Sequence, residues 1–386
     1  MKRSVIKRKL LRADRALEKA IEGGETAGAV LLARMPRDGE RLEHVSVQGL
    51  AVSRPERIPM ARDTIFDLAS LTKPLATATA VLRLVEDGSV ALDDPVAKHL
   101  PPFGERGKES VTIRHLLTHS SGLKPWRGFH ELVLERERKT GERLAGTPAA
   151  RDFVLQRIYR SALVHEPGQA AVYGDLDFIA LGALVEAVAK QPLDAFCAER
   201  VFRPLGLAQT FFVRPATFGE PPPDAVRRRF AATENCPWRG RIVWGEVHDP
   251  NASVMGGVAG HAGLFATADD VLSYAQQLLD VWHCRSEVLP RGLLQQFFAR
   301  QHLPPGSDWA LGWDTPTQGA SSSGQHFSER SVGHLGFTGT SLWIDLERET
   351  IVVLLTNRIH LVAKRSQYKL RPVIHDLVMD SFLAEA

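Results

Sequence analysis

Short apolar runs typical of strands lie near both ends of the chain, and apolar residues with a helical period lie in its middle. Residues 27–33 and 42–50 are two β-like runs separated by a turn-forming segment, which predicts a hairpin. Residues 341–346 and 350–356 predict a second pair of strands, whereas residues 91–250 are rich in helix signals. The pattern therefore predicts an α+β fold, in which an antiparallel sheet assembled from both chain ends is flanked by helices and carries an inserted helical lobe.

The same pattern divides the chain into two connected parts. Residues 1–90 together with 255–386 are predicted to form the sheet domain, and residues 91–254 a mostly helical lobe. A length of 386 residues fits one large domain or two domains in close contact. Two stretches, 126–143 and 220–224, are predicted to be loops or cap elements, because the first is charged and poorly patterned and the second holds three prolines.

Composition and charge exclude some classes of function. The net charge of +3 is too small to indicate a nucleic-acid partner, and no uncharged stretch is a credible membrane span. The first twenty residues are basic but lack the apolar centre of a signal peptide, which favours an amphipathic helix; a basic membrane-surface helix is the alternative. Three widely spaced cysteines, Cys197, Cys236 and Cys284, fit free thiols in a reducing compartment. We therefore expect a cytoplasmic protein.

The segment Ser70-Leu-Thr-Lys73 pairs a potential nucleophile with a potential base. It opens a helical pattern that ends near Gly88, so both side chains are predicted to lie at the N-terminal end of one long helix, with Pro74 in its first turn. Residues three apart share one face of a helix, and a serine needs a nearby base before it can attack. The same four residues also fit a helix-capping serine followed by a solvated lysine, because chance matches to this pattern are common.

Two further segments contain residues with chemical potential. The first, Tyr173-Gly-Asp175, follows a turn, where a tyrosine taken alone also fits packing in the core or at its rim. The second, Gly333-His334-Leu335-Gly336, directly precedes a strand, and its glycines would let the strand edge approach a substrate closely. Taken alone, this segment also fits a glycine-rich strand entry with a hydrogen-bonded histidine.

Together, the three segments resemble the motifs of the serine β-lactamase and penicillin-binding-protein superfamily. Their order is similar to that of the branch containing class C β-lactamases, D,D-peptidases and S-x-x-K esterases, in which the second motif is Y-x-N and the third can be H-x-G. Four longer segments also resemble this branch: 64–74, 115–123, 256–265 and 336–345. The resemblance spans roughly residues 20 to 365 and implies a β-lactamase/transpeptidase-like fold.

The resemblance also implies a role for each motif residue. Ser70 would be the acylated nucleophile, and Lys73 and Tyr173 would share the general-base work and later activate the deacylating water. The backbone N–H groups of Ser70 and Phe337 would form the oxyanion hole. The resemblance implies no cofactor and no metal ion.

Asp175 departs from the family pattern, which has Asn at this position. An amide can donate a hydrogen bond to a substrate carbonyl, whereas an ionised carboxylate cannot. A carboxylate near Lys73 would also favour its ammonium form, which weakens it as a base. We therefore expect Tyr173 to accept the proton, with Lys73 as its electrostatic support, although the protons of a coupled pair need not have one owner.

The third motif departs from the Lys-Thr-Gly form of the superfamily. The resemblance places His334 beside Tyr173, where it would orient the substrate, and Gly336 where it leaves room beside the strand. His334-Leu335 lacks the permanent ammonium and the hydroxyl that suit a β-lactam carboxylate, and histidine is mostly neutral near pH 7. Both departures argue against an efficient β-lactamase and favour neutral ester or amide substrates.

Three other groups of side chains have two interpretations each. His115 and His119 have the spacing of metal ligands on a helix, but no third ligand has a recognisable spacing, so we predict a structural role. One polar loop fits either a pocket rim or an ordinary surface loop, and it contains His248, Asp249 and Asn251. Three tryptophans fit either an acyl pocket or packing, namely Trp126, Trp238 and Trp244.

These residues predict a serine hydrolase that acts through an acyl-enzyme on a small-molecule ester or amide, with carboxylesterase-type activity as the leading interpretation. A β-lactamase, D,D-peptidase or D-aminopeptidase is the alternative within the same chemistry. A non-catalytic binding or scaffold protein that kept the fold is the alternative outside it, which Asp175 leaves open. No cofactor, nucleic-acid partner or transmembrane segment is expected, and the sequence does not indicate an oligomeric state.

Overall fold

The computed structural model describes residues 3–37, 39–319, 321–360 and 369–383. Its strands are β1 (Gly28–Arg37), β2 (Glu40–Val52), β3 (Ile58–Pro59), β4 (Phe66–Asp67), β5 (Thr210–Phe212), β6 (Asn235–Cys236), β7 (Arg241–Ile242), β8 (Leu264–Ala266), β9 (Ser331–Leu335), β10 (Ser341–Asp345) and β11 (Thr350–Thr356). Its α-helices are α1 (Arg3–Glu22), α2 (Thr79–Glu86), α3 (Val96–His99), α4 (Ile113–Leu117), α5 (Phe129–Thr140), α6 (Pro148–Tyr159), α7 (Leu176–Ala189), α8 (Leu193–Phe196), α9 (Asp224–Arg227), α10 (Pro250–Val254), α11 (Ala268–Trp282), α12 (Arg291–Phe298) and α13 (Leu370–Leu383).

The main sheet joins strands from both ends of the chain. Its six strands are antiparallel and lie in the order β3-β2-β1-β11-β10-β9. Strands β1 and β2 form the predicted hairpin, β10 and β11 form the second, and the two hairpins meet where Ala29 pairs with Thr356. The predicted α+β fold, with one antiparallel sheet assembled from both chain ends, is confirmed.

Side chains of β1 alternate between two cores, because successive residues of a strand face opposite sides of the sheet. Val30 and Leu32 belong to the larger core, which includes α11 and the helices between the two hairpins. Leu31 belongs to the smaller core, where the predicted amphipathic helix α1 buries Leu10 and Leu17 beside α13. Across the described residues, no helix combines the length and the apolar character that crossing a bilayer requires.

Helix α7 places Tyr173 and Asp175 next to the segment that carries Ser70. It is buried over Leu176–Val185 and packs against α2 and the segment Lys73–Ala78. Burial on all sides suits its sequence, which is apolar around nearly its whole circumference. Tyr173 and Asp175 lie directly before this helix, so its packing brings them to the Ser70 segment.

The chain after Ser70 is more irregular than the single long helix we predicted. A 3-10 turn covers Ala69–Leu71, a π-helical turn covers Lys73–Ala78, and regular α-helix begins only with α2. Pro74 lies in the first turn of the π-helical segment, where a missing N–H removes no hydrogen bond. Such π-helical turns are rare and often occur at functional sites.

The loop interpretation of 126–143 is wrong for most of its length, because α5 lies within it. Phe129 and Val133, one helical turn apart, are buried, and Leu132 and Leu134 are partly buried against the core, so the apolar residues of this helix are confined to its first six positions. Charged side chains occupy the other faces, and Lys139 forms an ion pair with Glu135 at 2.6 Å along one of them. A helix with so narrow an apolar face has a sequence pattern close to that of a charged loop.

Candidate active site

Ser70 lies on a tight turn that follows β4. The residue before it, Ala69, has a φ of 48°, a left-handed conformation that is uncommon for residues with a Cβ. The buried Asp67 stabilises this turn, since its Oδ1 accepts a hydrogen bond from the Ala69 N–H at 2.8 Å and its Oδ2 accepts one from the His248 N–H at 2.7 Å. The turn presents Ser70 to a cavity that His248 also lines.

Lys73 is buried beside Ser70 and contacts Ser70, Tyr173 and Asp175 from the first two motifs. Its side chain is 0% exposed. Its Nζ donates to Ser70 Oγ at 3.0 Å, to the Tyr173 hydroxyl oxygen at 2.9 Å and to Asp175 Oδ1 at 2.8 Å. A fourth acceptor, the His261 carbonyl oxygen, lies at 3.3 Å. The fold thus gathers three side chains and one backbone carbonyl, from three separate segments of the sequence, around one nitrogen.

The surroundings of Lys73 favour its ammonium form. Burial alone would lower the pKa of Lys73, but the negative charge of Asp175, followed by the interaction with Tyr173, outweighs burial and raises this pKa above its ordinary value of 10.5. An ammonium has three N–H donors and no lone pair, so it cannot accept the proton of Ser70. The electrostatics therefore favour a role for Lys73 that depends on its charge.

Tyr173 is packed among three aromatic rings. The indole of Trp309 stacks on its ring with centroids 5.5 Å apart and an interplanar angle of 16°, while the rings of His119 and His334 lie at 4.7 and 5.7 Å. Burial lowers the pKa of His119 to about 3, so this histidine is a neutral packing partner. His115, the other member of the i, i+4 pair, caps its own helix α4. Among the residues that the structure describes, neither histidine belongs to a cluster of potential metal ligands.

The turn between β9 and β10 is fastened to the segment that carries Ser70. Thr338 Oγ1 donates to the Asp67 carbonyl oxygen at 2.8 Å, Thr340 Oγ1 donates to the Leu68 carbonyl oxygen at 3.1 Å, and both threonines are buried. So close an approach requires glycine at position 336, where a Cβ would lie 2.5 Å from the Leu68 oxygen. Gly336 therefore makes room for the protein's own backbone, and it also lines the cavity. Its role in letting the strand edge approach a substrate stays a prediction.

Phe337 lies at the tip of this turn, and its side chain is 60% exposed. Its ring stacks with that of His248 at 5.5 Å, and the Arg358 guanidinium lies 5.3 Å from its centroid. The Phe337 carbonyl oxygen accepts a hydrogen bond from Arg358 at 2.9 Å. The peptide unit that carries the Phe337 N–H is thus part of a turn held by Arg358 and by the two threonines.

The imidazole ring of His334 is buried next to Tyr173, and its proton lies on Nδ1. Its Nδ1 lies 2.8 Å from the Leu335 carbonyl oxygen, which can only accept, so Nδ1 carries the proton. Burial, and then the charge of Lys73, lowers the pKa of His334 well below its ordinary value, which leaves the ring neutral. Its Nε2 consequently presents a lone pair, and within the described part of the chain no group donates a hydrogen bond to that atom.

These side chains line a cavity of about 730 Å³ whose wall is largely aromatic. Trp126 and Trp238 line it, as does Trp309, which no motif reveals. Trp244 instead is buried and donates a hydrogen bond to the Phe230 carbonyl oxygen. In the polar loop, His248 and Asp249 line the cavity, whereas Asn251 is buried and bonds to the backbone of residues 127 and 130.

Two arginines also line the cavity, next to the β9–β10 turn. Arg371 donates to the carbonyl oxygens of Gly336 and Thr340 at 2.9 and 3.1 Å, and Arg358 is the residue that contacts Phe337. Both arginines follow β11, outside every motif, so sequence reasoning missed them. The cavity therefore contains permanent positive charge even though neutral His334 stands at the third motif.

His261 and Asp249 form a second acid–base pair in the cavity wall. His261 Nε2 lies 2.9 Å from Asp249 Oδ1. Burial would raise the pKa of Asp249, but the charge and the hydrogen bond of His261 outweigh burial and hold this pKa well below its usual range. Because an ionised carboxylate can only accept, Nε2 is the donor in this bond. Its position within the segment 256–265 was the only sequence signal for His261.

Three potential metal ligands lie close together in the cavity wall: Asp175, Asp249 and His261. One ligand atom from each residue lies within 4.8 Å of the other two. One feature disfavours this use. The Lys73 ammonium lies 2.8 Å from Asp175 and would repel a second cation.

Comparisons with known proteins identify relatives over most of the chain. A family model described as Beta-lactamase matches residues 13–371. A putative D-alanyl-D-alanine carboxypeptidase of Escherichia coli (strain K12) is 33% identical over 324 residues, which cover 77% of this chain and 70% of that protein. The N-acetylmuramyl-L-alanine amidase of Bacillus subtilis (strain 168) is 31% identical over 385 residues, which cover 92% of this chain and 82% of that protein.

Solved structures share the fold over nearly its full extent. EstCE1, described as a hydrolase with promiscuous acyltransferase activity, superposes with a TM-score of 0.72 at 24% identity, covering 96% of this chain and 99% of that one. A class C β-lactamase has the same TM-score of 0.72 at 16% identity and covers 99% of both chains. At these identities, the likeness establishes the fold alone.

Proposed function

This chain belongs to the β-lactamase family and has the β-lactamase/transpeptidase-like fold that its motifs predict, and we propose that it is a serine hydrolase acting through an acyl-enzyme on Ser70. It transfers the acyl group of a small ester or amide first to Ser70 and then to water. Tyr173 is the base, and Lys73 supports it as an ammonium.

One observation carries this proposal: Ser70 Oγ and the Tyr173 hydroxyl both lie within 3.0 Å of the same buried Lys73 nitrogen, at the wall of an open cavity. The alternative of a capping serine with a solvated lysine does not fit a lysine that is 0% exposed. Taking the Lys73 ammonium out of water costs several kcal/mol, and burying its partner, the Asp175 carboxylate, costs about as much. Stability alone therefore gives little reason for the protein to keep this buried ion pair. This cost also argues against a purely structural protein.

In the acylation step, Ser70 Oγ attacks the substrate carbonyl carbon, and the proton of Ser70 moves to the Tyr173 oxygen. The Lys73 ammonium, 2.9 Å from that oxygen, stabilises the phenolate that accepts the proton. The bond between the acyl carbon and the leaving group then breaks, and Tyr173 returns the proton to the departing alcohol or amine. The products are the acyl-enzyme and the free leaving group.

Deacylation repeats these steps with water as the nucleophile. Water attacks the acyl carbon and gives a proton to Tyr173, which passes it to Ser70 Oγ as the ester bond breaks and the acid leaves. In both steps the negative oxygen is stabilised by the N–H groups of Ser70 and Phe337. The bonds from Thr338 and Thr340 support this role, because they fix the two N–H groups relative to each other.

Carboxylesterase-type turnover of small neutral substrates is the simplest activity for this site, because His334 is neutral where a permanent ammonium would bind a carboxylate. The second candidate is a peptidase or amidase of the kind that the names of the relatives describe. Arg358 and Arg371 favour this candidate, since guanidinium groups in the cavity wall can bind the carboxylate of a peptide.

Four reagents test the proposal and separate these activities: a p-nitrophenyl short-chain ester, an acyl-D-alanyl-D-alanine peptide, a fluorescent penicillin and a fluorophosphonate. We expect the wild-type protein to hydrolyse the ester and to be labelled by the fluorophosphonate. Ser70→Ala should abolish both, whereas Ser89→Ala, at an exposed serine, should change neither. Cleavage of the peptide, or stable penicillin labelling, would favour the peptidase over the esterase.

The catalytic proposal fails if the wild-type protein is neither labelled nor active with any of the four reagents. It also fails if turnover persists unchanged in Ser70→Ala, because another group would then be the nucleophile.

A further inference from the structure

Both peptide groups that flank Tyr173 are bonded to one residue, His119. The His119 carbonyl oxygen accepts a hydrogen bond from the Val172 N–H at 2.9 Å. Its Nδ1 accepts one from the Gly174 N–H at 3.3 Å, and its ring packs 4.7 Å from the Tyr173 ring between centroids. His119 therefore holds the residue that carries the proposed base through the backbone on either side as well as through the ring.

The backbone conformation of His119 is one that favours glycine. Helix α4 ends in a Schellman motif, in which the His119 N–H bonds to the Leu116 carbonyl oxygen at 3.3 Å and the next N–H bonds to the His115 carbonyl oxygen at 2.8 Å. Glycine is usual at the left-handed position of this motif, yet His119 occupies it with a φ of 56°. The motif explains the backbone conformation but not the residue type, so the contacts of the imidazole account for a histidine at this position.

Asp177 approaches the same ring nitrogen from the first turn of α7. Its Oδ2 lies 3.4 Å from His119 Nδ1, and its Oδ1 accepts a hydrogen bond from the Ser121 hydroxyl. Ser121 Oγ in turn accepts from the Leu123 N–H at 3.0 Å. Asp177, His119 and Ser121 are all buried, so no solvent screens this cluster.

The hydrogen bonds of the cluster favour a protonated Asp177. The Gly174 N–H can only donate, so His119 Nδ1 presents a lone pair and the ring proton is on Nε2. No described residue bonds to Nε2, so the partners of Nδ1 set the tautomer. An ionised Asp177 would place a second acceptor 3.4 Å from the Nδ1 lone pair, whereas a protonated Asp177 donates to it.

The surroundings of Asp177 act in the same direction. Burial raises the pKa of Asp177 to about 8, although the hydrogen bond from Ser121 lowers it. The other titratable or charged groups that face Asp177 are Lys73 from the π-helical segment, Asp175 from the residue before α7, and His115 and His119 from α4 and its end. Lys73 and His115 lower this pKa and Asp175 raises it, so the carboxyl stays protonated near pH 7 and ionises above about pH 8.

Ionisation of Asp177 changes which tautomer of His119 is favoured. The carboxyl proton leaves to solvent, and the remaining carboxylate can only accept a hydrogen bond. The ring proton then moves from Nε2 to Nδ1, where it bonds to the carboxylate. The Gly174 N–H consequently loses its acceptor, and one of the two bonds that flank Tyr173 is broken.

We propose that His119 is the positioning residue of Tyr173, and that a proton on Asp177 keeps His119 in the tautomer that does so. While the proton is present, the Gly174 N–H is held and the Tyr173 hydroxyl stays next to Lys73. Loss of the proton releases this peptide group and slows acylation. The inference rests on the proposed function, because Tyr173 is the base of that reaction, but the tautomer of His119 can be measured without any turnover.

Two substitutions at Asp177 separate the proton from the carboxylate. In Asp177→Asn the amide N–H donates to His119 Nδ1 and the amide oxygen accepts from Ser121, as the protonated acid does. Asp177→Leu has a similar volume and no donor. For ester hydrolysis at pH 7, kcat should stay within about twofold of wild type in the Asn variant and fall about 10- to 100-fold in the Leu variant, with KM changed by less than about twofold in both, because misplacing a catalytic group by about 1 Å can cost about 100-fold. Asp63→Asn, at an exposed residue, is the charge-matched control, and thermal unfolding checks that each variant folds.

The pH profile gives a readout that a merely structural role would not change. The rate of fluorophosphonate labelling is measured for the wild-type protein and for Asp177→Asn, and their ratio cancels the titrations that the two proteins share. This ratio should be constant from about pH 5 to 7 and should fall by up to about tenfold per pH unit above about pH 8. A ratio that does not change with pH overturns the role of the proton, and an Asn variant as slow as the Leu variant overturns it too.

Nitrogen NMR of isotope-labelled histidines tests the tautomer directly, with the His119 signals assigned by their loss in His119→Asn. At pH 6 we expect the proton on Nε2 in the wild-type protein. Above about pH 8 the signals should move toward the Nδ1–H tautomer, while in Asp177→Asn they should stay unchanged. A proton on Nδ1 at pH 6 overturns the inference, even if Ser70 is acylated as proposed. If no reagent labels the wild-type protein, the proposed function fails and the tautomer alone decides whether Asp177 controls the contact between His119 and Gly174.

Discussion

Asp175→Asn tests whether Lys73 acts through its charge or as a base. Asn keeps an oxygen near the ammonium but removes a negative charge 2.8 Å from it. Two unit charges at this distance attract by about 6 kcal/mol at an effective dielectric constant of about 20. Desolvation offsets part of this attraction, and removing one partner of a buried pair typically costs about 3–5 kcal/mol. We expect the free energy of unfolding to fall by about 3–5 kcal/mol in Asp175→Asn.

The substitution also changes where Lys73 titrates. Without the carboxylate, burial opposes the ammonium more effectively, so the pKa of Lys73 should fall from its raised value. A raised lysine pKa stabilises the native protein at every pH below its ordinary value of 10.5, and this stabilisation is lost as the pH rises through the native pKa. The stability difference between wild type and variant should therefore be constant from about pH 6 up to the lowered pKa of Lys73 in the variant, and shrink as the pH rises from there through the raised pKa of the wild type.

The pH dependence of acylation distinguishes the two roles. If Lys73 supports Tyr173 as an ammonium, the rate of fluorophosphonate labelling in Asp175→Asn falls as the pH rises through the lowered pKa of Lys73. If Lys73 were the base, the rate would rise. Urea unfolding followed by tryptophan fluorescence gives the stability, and Asp63→Asn is the charge-matched control. A rate that rises with pH, or a loss of stability below about 1 kcal/mol, would refute the reasoning.

Three further substitutions test the surroundings of the site. Trp309→Ala removes the ring stacked on Tyr173, a contact worth about 0.5–1.5 kcal/mol. The kcat for ester hydrolysis should therefore fall about 3- to 10-fold, with a smaller change in KM. An unchanged kcat would contradict this prediction. Thr338→Val removes the hydroxyl that donates to the Asp67 carbonyl oxygen. Chemical denaturation should show that the free energy of unfolding falls by about 1 kcal/mol, and fluorophosphonate labelling should be slower. Wild-type stability and wild-type labelling would argue against a role for Thr338 in holding the turn. Burial raises the pKa of Asp314 to about 6, so stability should decline as the pH rises from about 4 to 6. Asp314→Asn should remove this decline and be more stable at pH 7 by up to about 3 kcal/mol, with no difference at pH 3; equal stability at pH 7 would count against it.

The central strands of the sheet were predictable because they are short, continuous apolar runs bounded by turn-forming residues. Val30 and Leu32 face one core and Leu31 faces the other, so both faces of β1 are buried and its sequence is apolar throughout. Helix α5 was not predicted, because its apolar residues are confined to Phe129–Leu134 and its second half is entirely polar or charged, so it depends on tertiary packing for its stability.

The chemical groups of the site were predictable where they belong to short motifs, as Ser70 and Tyr173 do. Trp309 and Arg371 reach the cavity only through the fold, from segments whose local sequence suits ordinary packing. His261 was visible only as part of a longer family-like segment, and nothing in that segment showed its partner Asp249. The cytoplasmic location stays a prediction.

The two threonine hydroxyls that tie the β9–β10 turn to residues 67 and 68 have a consequence for how this protein can change. Thr338 and Thr340 connect the segment that carries Ser70 to the hairpin that carries Phe337, whereas Trp126 and α5 belong to a different segment of the sequence. In the proposed mechanism, the groups that react and the surfaces that choose a substrate are therefore separate in the sequence. Segments such as 126–143 can be exchanged or redesigned to alter specificity, while the spacing of the N–H groups at Ser70 and Phe337 is inherited intact.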